Sequence, residues 1–127
     1  MGPVQSLPRV LVVDDDEPIR NTLTEALELE GYAVVSASNG AEACELVHRF
    51  RPSVIVLDLM MPVMNGWEFL QRCRRDDDCS STPVLVISAY SKLPREAANL
   101  GVKGCIAKPF DLDVLLGAVD RIVRTAA

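Results

Sequence analysis

Three apolar tetrads, Val10-Leu11-Val12-Val13, Val54-Ile55-Val56-Leu57 and Val84-Leu85-Val86-Ile87, constrain this chain more than any other feature. Each has strand length and is rich in β-branched residues. None alternates apolar with polar, so each demands cover on both faces. The stretches between them carry apolar residues at helical spacing. Strands alternating with helices imply a parallel sheet joined by right-handed crossovers.

The helices can be placed from their ends. Pro18 suits a first helical turn; Ile19, Leu23, Ala26 and Leu27 then share a face, and Gly31 stops the helix. Ala33 to Ala37 reads as a second strand. Asn39 is an N-cap for a helix whose inner face is Ala43, Leu46, Val47 and Phe50, and Asn65 caps another with Gly66, Phe69, Leu70 and Cys73. Arg74 to Thr82 is a polar loop. A weaker helix is expected over residues 92–100, and a short fifth strand from Gly104 to Ala107. Asp111 caps a last helix with Leu112, Leu115, Leu116, Val119, Ile122 and Val123 inward. The expectation is one α/β domain of five βα units over residues 8–124, with short tails at 1–7 and 125–127.

Charge and cysteine usage remove several function classes. The net charge of −5 argues against direct nucleic-acid binding, which needs clustered Lys and Arg. No apolar run approaches the roughly 20 residues of a membrane span. Cysteines at 44, 73, 79 and 105 form no CxxC pair, and His48 is the only histidine, which argues against zinc. We expect the cysteines to be small buried hydrophobes, and their scattering fits a reducing cytoplasm. His48 is expected to be exposed and uninvolved in catalysis, and Asp76-Asp77-Asp78 to be a solvated run.

Chemistry concentrates where the strands end. In an open α/β sheet, ligands bind beyond the carboxyl ends of the strands. Strand one runs into Asp14-Asp15-Asp16, strand three into Asp58, strand four into Ser88, and strand five into Lys108-Pro109. Clustered carboxylates stay ionised together most easily around a cation, and an all-oxygen donor set suits Mg²⁺. A carboxylate oxygen can attack phosphorus. The transferred group then needs cations and donors around it, which Lys108 and the Ser88 hydroxyl supply.

These segments resemble the receiver domain of bacterial response regulators: Val10 to Asp16, Asp58-Leu59-Met60-Met61-Pro62 followed by Asn65-Gly66, Ile87-Ser88-Ala89, and Lys108-Pro109-Phe110. The resemblance covers about residues 8 to 124. It implies a flavodoxin-like (βα)5 fold, a doubly wound parallel five-stranded sheet of order 2-1-3-4-5. It implies that Asp58 accepts a phosphoryl group from a sensor histidine kinase or phosphotransfer protein. Mg²⁺ would be held by Asp15, by Asp14 directly or through water, by Asp58 and by the Met60 backbone carbonyl. Ser88 would be the switch hydroxyl and Lys108 the phosphoryl's ion-pair partner, aimed by a cis bond before Pro109. The phosphorylated form would engage a downstream protein partner or a fused output domain, as a monomer or a phosphorylation-dependent dimer.

Some positions depart from the family pattern. Cys105 stands where many receivers carry an aromatic switch residue. Met60 and Tyr90, which flank the reaction centre, are bulky and ill-suited to orienting a hydrolytic water, so slow self-dephosphorylation is expected. Tyr90, Leu93, Val114 and Ala118 are candidate partner-contact residues. Trp67 should pack near the acceptor loop. An aspartate-nucleophile phosphatase is the competing enzyme reading, but it would need an acid two residues after Asp58, where Met60 stands. A phosphorylation-dead binding scaffold would have lost an acid or the lysine, and all are retained. A stand-alone receiver and a fragment of a larger regulator remain equally open.

Overall fold

A computed structural model of the chain describes residues 7–61, 63–89 and 100–126. The elements are β1 (Arg9–Val13), α1 (Glu17–Leu29), β2 (Ala33–Ala37), α2 (Gly40–Phe50), β3 (Val54–Asp58), α3 (Gly66–Arg75), β4 (Val84–Ser88), β5 (Val102–Ala107) and α4 (Leu112–Ala126). The strands form one parallel sheet of order β2-β1-β3-β4-β5. This is the doubly wound, flavodoxin-like arrangement that the resemblance implied. The helix expected over 92–100 lies outside the described residues, apart from Leu100.

The three apolar tetrads are the inner strands, and the pleat splits each between two cores. Leu11, Val13, Ile55, Leu57, Val84 and Val86 face Ala43 and Val47 of α2 and Phe69 and Leu70 of α3. Val10, Val12, Val54, Val56, Leu85 and Ile87 face Leu23 and Leu27 of α1 and Leu115, Val119 and Ile122 of α4. Successive strand residues point to opposite faces, so a strand covered on both sides must be apolar throughout.

The helix starts follow local chemistry. Asp16, Asn39 and Asn65 accept hydrogen bonds from the backbone N–H of Ile19 (3.1 Å), Glu42 (2.9 Å) and Glu68 (3.0 Å). Asn65 and Glu68 complete a reciprocal capping box, which fixes the start of α3 after the loop that follows β3. Asp111 accepts from Asp113 N–H at 2.8 Å at the start of α4. Gly31, at φ +97°, ends α1 in the left-handed conformation.

Several expectations need correction. The fifth strand begins at Val102, two residues earlier than Gly104. As an edge strand it has alternating exposure, so Lys103 belongs to it while facing solvent. Cys105 shares the exposed side of that pleat with Lys103 and Ala107, and so is not a buried hydrophobe. Ala118 is buried rather than exposed, because it lies one turn from both Leu115 and Ile122 on the inner face of α4. Val114 is exposed as expected, while Tyr90 and Leu93 lie outside the described residues.

The cysteine and acidic-run readings also change. Cys73 and Cys79 are joined in a disulfide. The spacing hid this pair because the turn after α3 folds Cys79 back under the helix. Asp76 and Asp78 are not merely solvated: His48 lies 3.0 Å from Asp76 and 2.7 Å from Asp78, and Arg51 lies 2.8 Å from Asp78. His48 itself is exposed, as expected.

Candidate functional site

The carboxyl ends of β1, β3, β4 and β5 converge on one acidic cleft. Asp14, at the end of β1, is fully buried, and Asp58, the last residue of β3, is 3% exposed. Asp15 is exposed at the rim. One carboxylate oxygen from each of the three lies within 4.8 Å of the others. Ser88 ends β4 and is buried, and its carbonyl accepts a hydrogen bond from the Lys108 backbone N–H at 2.7 Å. The peptide bond between Lys108 and Pro109 is cis, as expected.

Lys108 ties the acids together. Its ammonium is 2.9 Å from Asp14 Oδ2 and 3.3 Å from Asp58 Oδ2. The second contact is a hydrogen bond. The first is close but off hydrogen-bond alignment, so Asp14 Oδ2 is a buried oxygen with no aligned donor among the described residues. Asp14 Oδ1 accepts from Asp16 N–H at 2.9 Å, and Asp58 Oδ1 from Met60 N–H at 3.2 Å.

Burial pushes the Asp58 carboxyl up to about 6; the Met60 N–H opposes this, the Asp14 charge adds to it, and Lys108 opposes it. Burial pulls the Lys108 ammonium down, but the neighbouring carboxylates of Asp14 and Asp58 outweigh it, and the net direction is up. The cleft thus holds more negative charge than one ammonium neutralises.

Two supporting contacts were not read from the sequence, although Gly66 itself was part of the motif. Arg20 of α1 donates through Nη1 to the Asp14 carbonyl at 2.8 Å and pins the acidic turn to the helix after it. Its spacing from Asp14 carries no motif. Gly66 leaves room for the backbone at the end of β3: a Cβ there would collide with the Asp58 carbonyl oxygen and lie 2.7 Å from Leu59 Cα. Its N–H donates to the Leu59 carbonyl at 3.0 Å. The Met60 side chain is 53% exposed beside the cleft, and Trp67 packs at the edge of the α2–α3 core.

Residues 10–120 match the family model for the response regulator receiver domain. The chain belongs to the response regulator receiver family. Over 118 residues this receiver is 38% identical to response regulator MprA of Mycobacterium leprae, an alignment covering 91% of the receiver and 51% of that protein. It is 33% identical over 120 residues to the DNA-binding dual master transcriptional regulator RpaA of Synechocystis, covering 93% and 50%. The chain spans about half the length of these curated relatives.

Solved structures share the fold. The receiver superposes on the Francisella response regulator 1452 receiver domain with a TM-score of 0.86 at 31% identity, covering 94% of this chain and 99% of the other. Response regulator TrrA of Thermotoga maritima, solved in complex with Mg²⁺ and BeF, superposes with a TM-score of 0.80 at 29% identity, covering 91% and 99%. The receiver is a phosphoacceptor signalling module of a two-component system rather than an enzyme with its own substrate. No helix among the described residues is long and apolar enough to cross a membrane.

Proposed function

We propose that Asp58 is the phosphoryl acceptor of this receiver and that its modification, with Mg²⁺, switches a partner-binding surface. The observation that carries this reading is the shared ammonium: Lys108 spans Asp14 and Asp58 at a cleft rich in carboxylate. The donor set suits Mg²⁺, because Asp14, Asp15 and Asp58 converge and Asp14 Oδ2 is buried without an aligned donor. Asp14, Asp15, Asp58 and the Met60 backbone carbonyl would hold the ion. Bound there, Mg²⁺ would neutralise the acids and the charge developing on the phosphoryl oxygens.

The chain's own groups account for the remaining chemistry. An Asp58 carboxylate oxygen attacks phosphorus, the P–N bond of the donor phosphohistidine breaks, and the histidine nitrogen takes up a proton. Lys108 moves its pairing from the Asp58 oxygen to a phosphoryl oxygen. The Ser88 hydroxyl donates to another. Ser88 ends β4, Lys108 directly follows β5, and the Lys108 N–H to Ser88 carbonyl bond joins them, so movement of one reaches the other. A group of about −2 charge thereby biases the backbone after β4 and β5 toward a second arrangement.

The partners follow from that chemistry. A sensor histidine kinase or phosphotransfer protein supplies the phosphoryl group. A downstream protein or an attached output domain reads it, in a monomer or a phosphorylation-dependent dimer. TrrA, whose structure contains Mg²⁺ and BeF, supports this reading by similarity. MprA and RpaA, at about twice this chain's length, support an output beyond the receiver. A cytoplasmic location accords with a histidine kinase donor. Incubation with acetyl phosphate and Mg²⁺ should slow the wild-type band on a phosphate-affinity gel and leave Asp58→Asn unshifted; equal shifts in both proteins would sink the assignment.

A further inference from the structure

At the amino-terminal end of the sheet, away from the acidic cleft, a cavity of about 160 Å³ lies between α2 and α3. Three of the chain's four cysteines, Cys44, Cys73 and Cys79, line it. Cys73 lies in the last turns of α3, and Cys79 in the turn that follows. The two are bonded, and both are almost fully buried. Cys44 is only partly buried.

That turn is built tightly. The Asp76 carbonyl accepts from Cys79 N–H at 2.9 Å and Ser80 N–H at 2.7 Å, and the Asp76 side chain accepts from Asp78 N–H at 2.9 Å. His48 and Arg51 hold its carboxylates from the α2 side. Arg74, next to Cys73, reaches through it. Its guanidinium donates to the carbonyls of Cys79 at 2.8 Å and Ser80 at 3.2 Å, and beyond them to Leu100 at 2.5 Å and Gly101 at 3.4 Å. A half-buried guanidinium thus joins the disulfide turn to the residues that enter β5. Gly101 is fitted to it, at φ +75° with a Cβ position 3.0 Å from Arg74 Nη2.

We propose that Cys73 and Cys79 form a reversible dithiol–disulfide site whose redox state sets how firmly Arg74 holds the entrance to β5. The co-reactant is a dithiol reductant, or two equivalents of a monothiol. One thiolate attacks a sulfur of the pair, the other sulfur leaves as a thiolate and takes a proton, and a second thiol resolves the mixed disulfide. Two electrons and two protons reach the pair, and the reductant leaves as its disulfide. Opening the bond releases Cys79 from α3, and with it the turn whose carbonyls Arg74 grips. Leu100 and Gly101 then lose one side of their anchorage at the start of the strand that ends next to Lys108.

The wild-type protein, equilibrated in glutathione buffers of graded potential, acid-quenched and alkylated after denaturation, tests this. Peptide mass spectrometry should show Cys73 and Cys79 blocked and released together in one transition, with Cys44 and Cys105 alkylated throughout. Amide hydrogen exchange at Ser80 to Thr82 and Gly101 to Val102 should be about tenfold faster in the reduced protein. Cys44→Ser should keep both results, and Cys79→Ser should show the fast exchange in every buffer. Should Cys79→Ser fail to fold, the wild-type series gives the same reading alone. Four alkylatable cysteines at the most oxidising potential, a different pairing, or equal exchange in the two wild-type states would overturn the proposal.

Discussion

The Lys108 ammonium lies closer to Asp14 than to Asp58, at 2.9 Å against 3.3 Å. Before any phosphoryl group arrives, the lysine is therefore chiefly the counter-charge of a fully buried acid. Lys108→Met should leave Asp14 and Asp58 repelling each other without a cation. We expect a loss of about 3 kcal/mol in urea unfolding in the presence of chelator. Millimolar Mg²⁺ should recover part of it, because the ion would neutralise the same carboxylates. An equal loss with and without Mg²⁺ would show that the acids do not share a cation site.

Val63, in the loop after the acceptor, sits at φ +66° with an exposed side chain. A β-branched residue is strained there, and burial does not compensate it. Val63→Asn should raise stability by about 1 kcal/mol, since Asn tolerates the left-handed region. A lower urea midpoint would contradict this.

His48 is the chain's only histidine, so its ring resonance is unambiguous. The Asp78 hydrogen bond, with help from the Asp76 charge, raises its pKa against slight desolvation and the Arg51 charge. Asp78 is lowered, by His48 first and then by Arg51. A raised histidine stabilises the fold fully below the unfolded value of 6.5 and loses that contribution as pH rises through the folded value. A lowered aspartate contributes above 3.8 and loses it as pH falls through its depressed value. The contact therefore contributes most between the unfolded values of 3.8 and 6.5, and fades as pH rises from 6.5 through the raised His48 midpoint. Asp78→Asn should move the NMR titration midpoint of His48 downward; an unchanged midpoint would refute the pairing.

Met60 flanks the cleft and offers no group that could orient a water toward phosphorus. Replacing it by asparagine should shorten the phosphoryl half-life about tenfold, a barrier change of about 1.4 kcal/mol. Decay of the phosphorylated band after removal of acetyl phosphate measures this directly. A longer half-life in Met60→Asn would contradict the account.

The fold was legible where the chain repeats a simple pattern. The three apolar tetrads became the inner strands because a strand buried on both faces has no place for polar residues. Asp14, Asp58, Ser88 and Lys108 could be assembled in advance because strand ends converge in this architecture. The exposed, rim position of Asp15 was not part of that reading. Features that depend on the path of a loop were not legible. The Cys73–Cys79 bond, the grip of Arg74 on Leu100 and Gly101, and the His48–Asp76–Asp78 cluster all require the turn after α3 to fold back. No periodicity encodes that turn. Cys105 was misjudged for a related reason, since the exposed side of an edge strand depends on what covers it.

In the proposed reaction the phosphoryl group resides on the Asp58 carboxylate. Borohydride reduction converts an aspartyl phosphate to homoserine, which peptide mass spectrometry can locate. After treatment with acetyl phosphate and Mg²⁺, homoserine is expected at position 58 and at no other aspartate. Homoserine at position 14 or 15, or none at 58 in protein that carries phosphate, would contradict it.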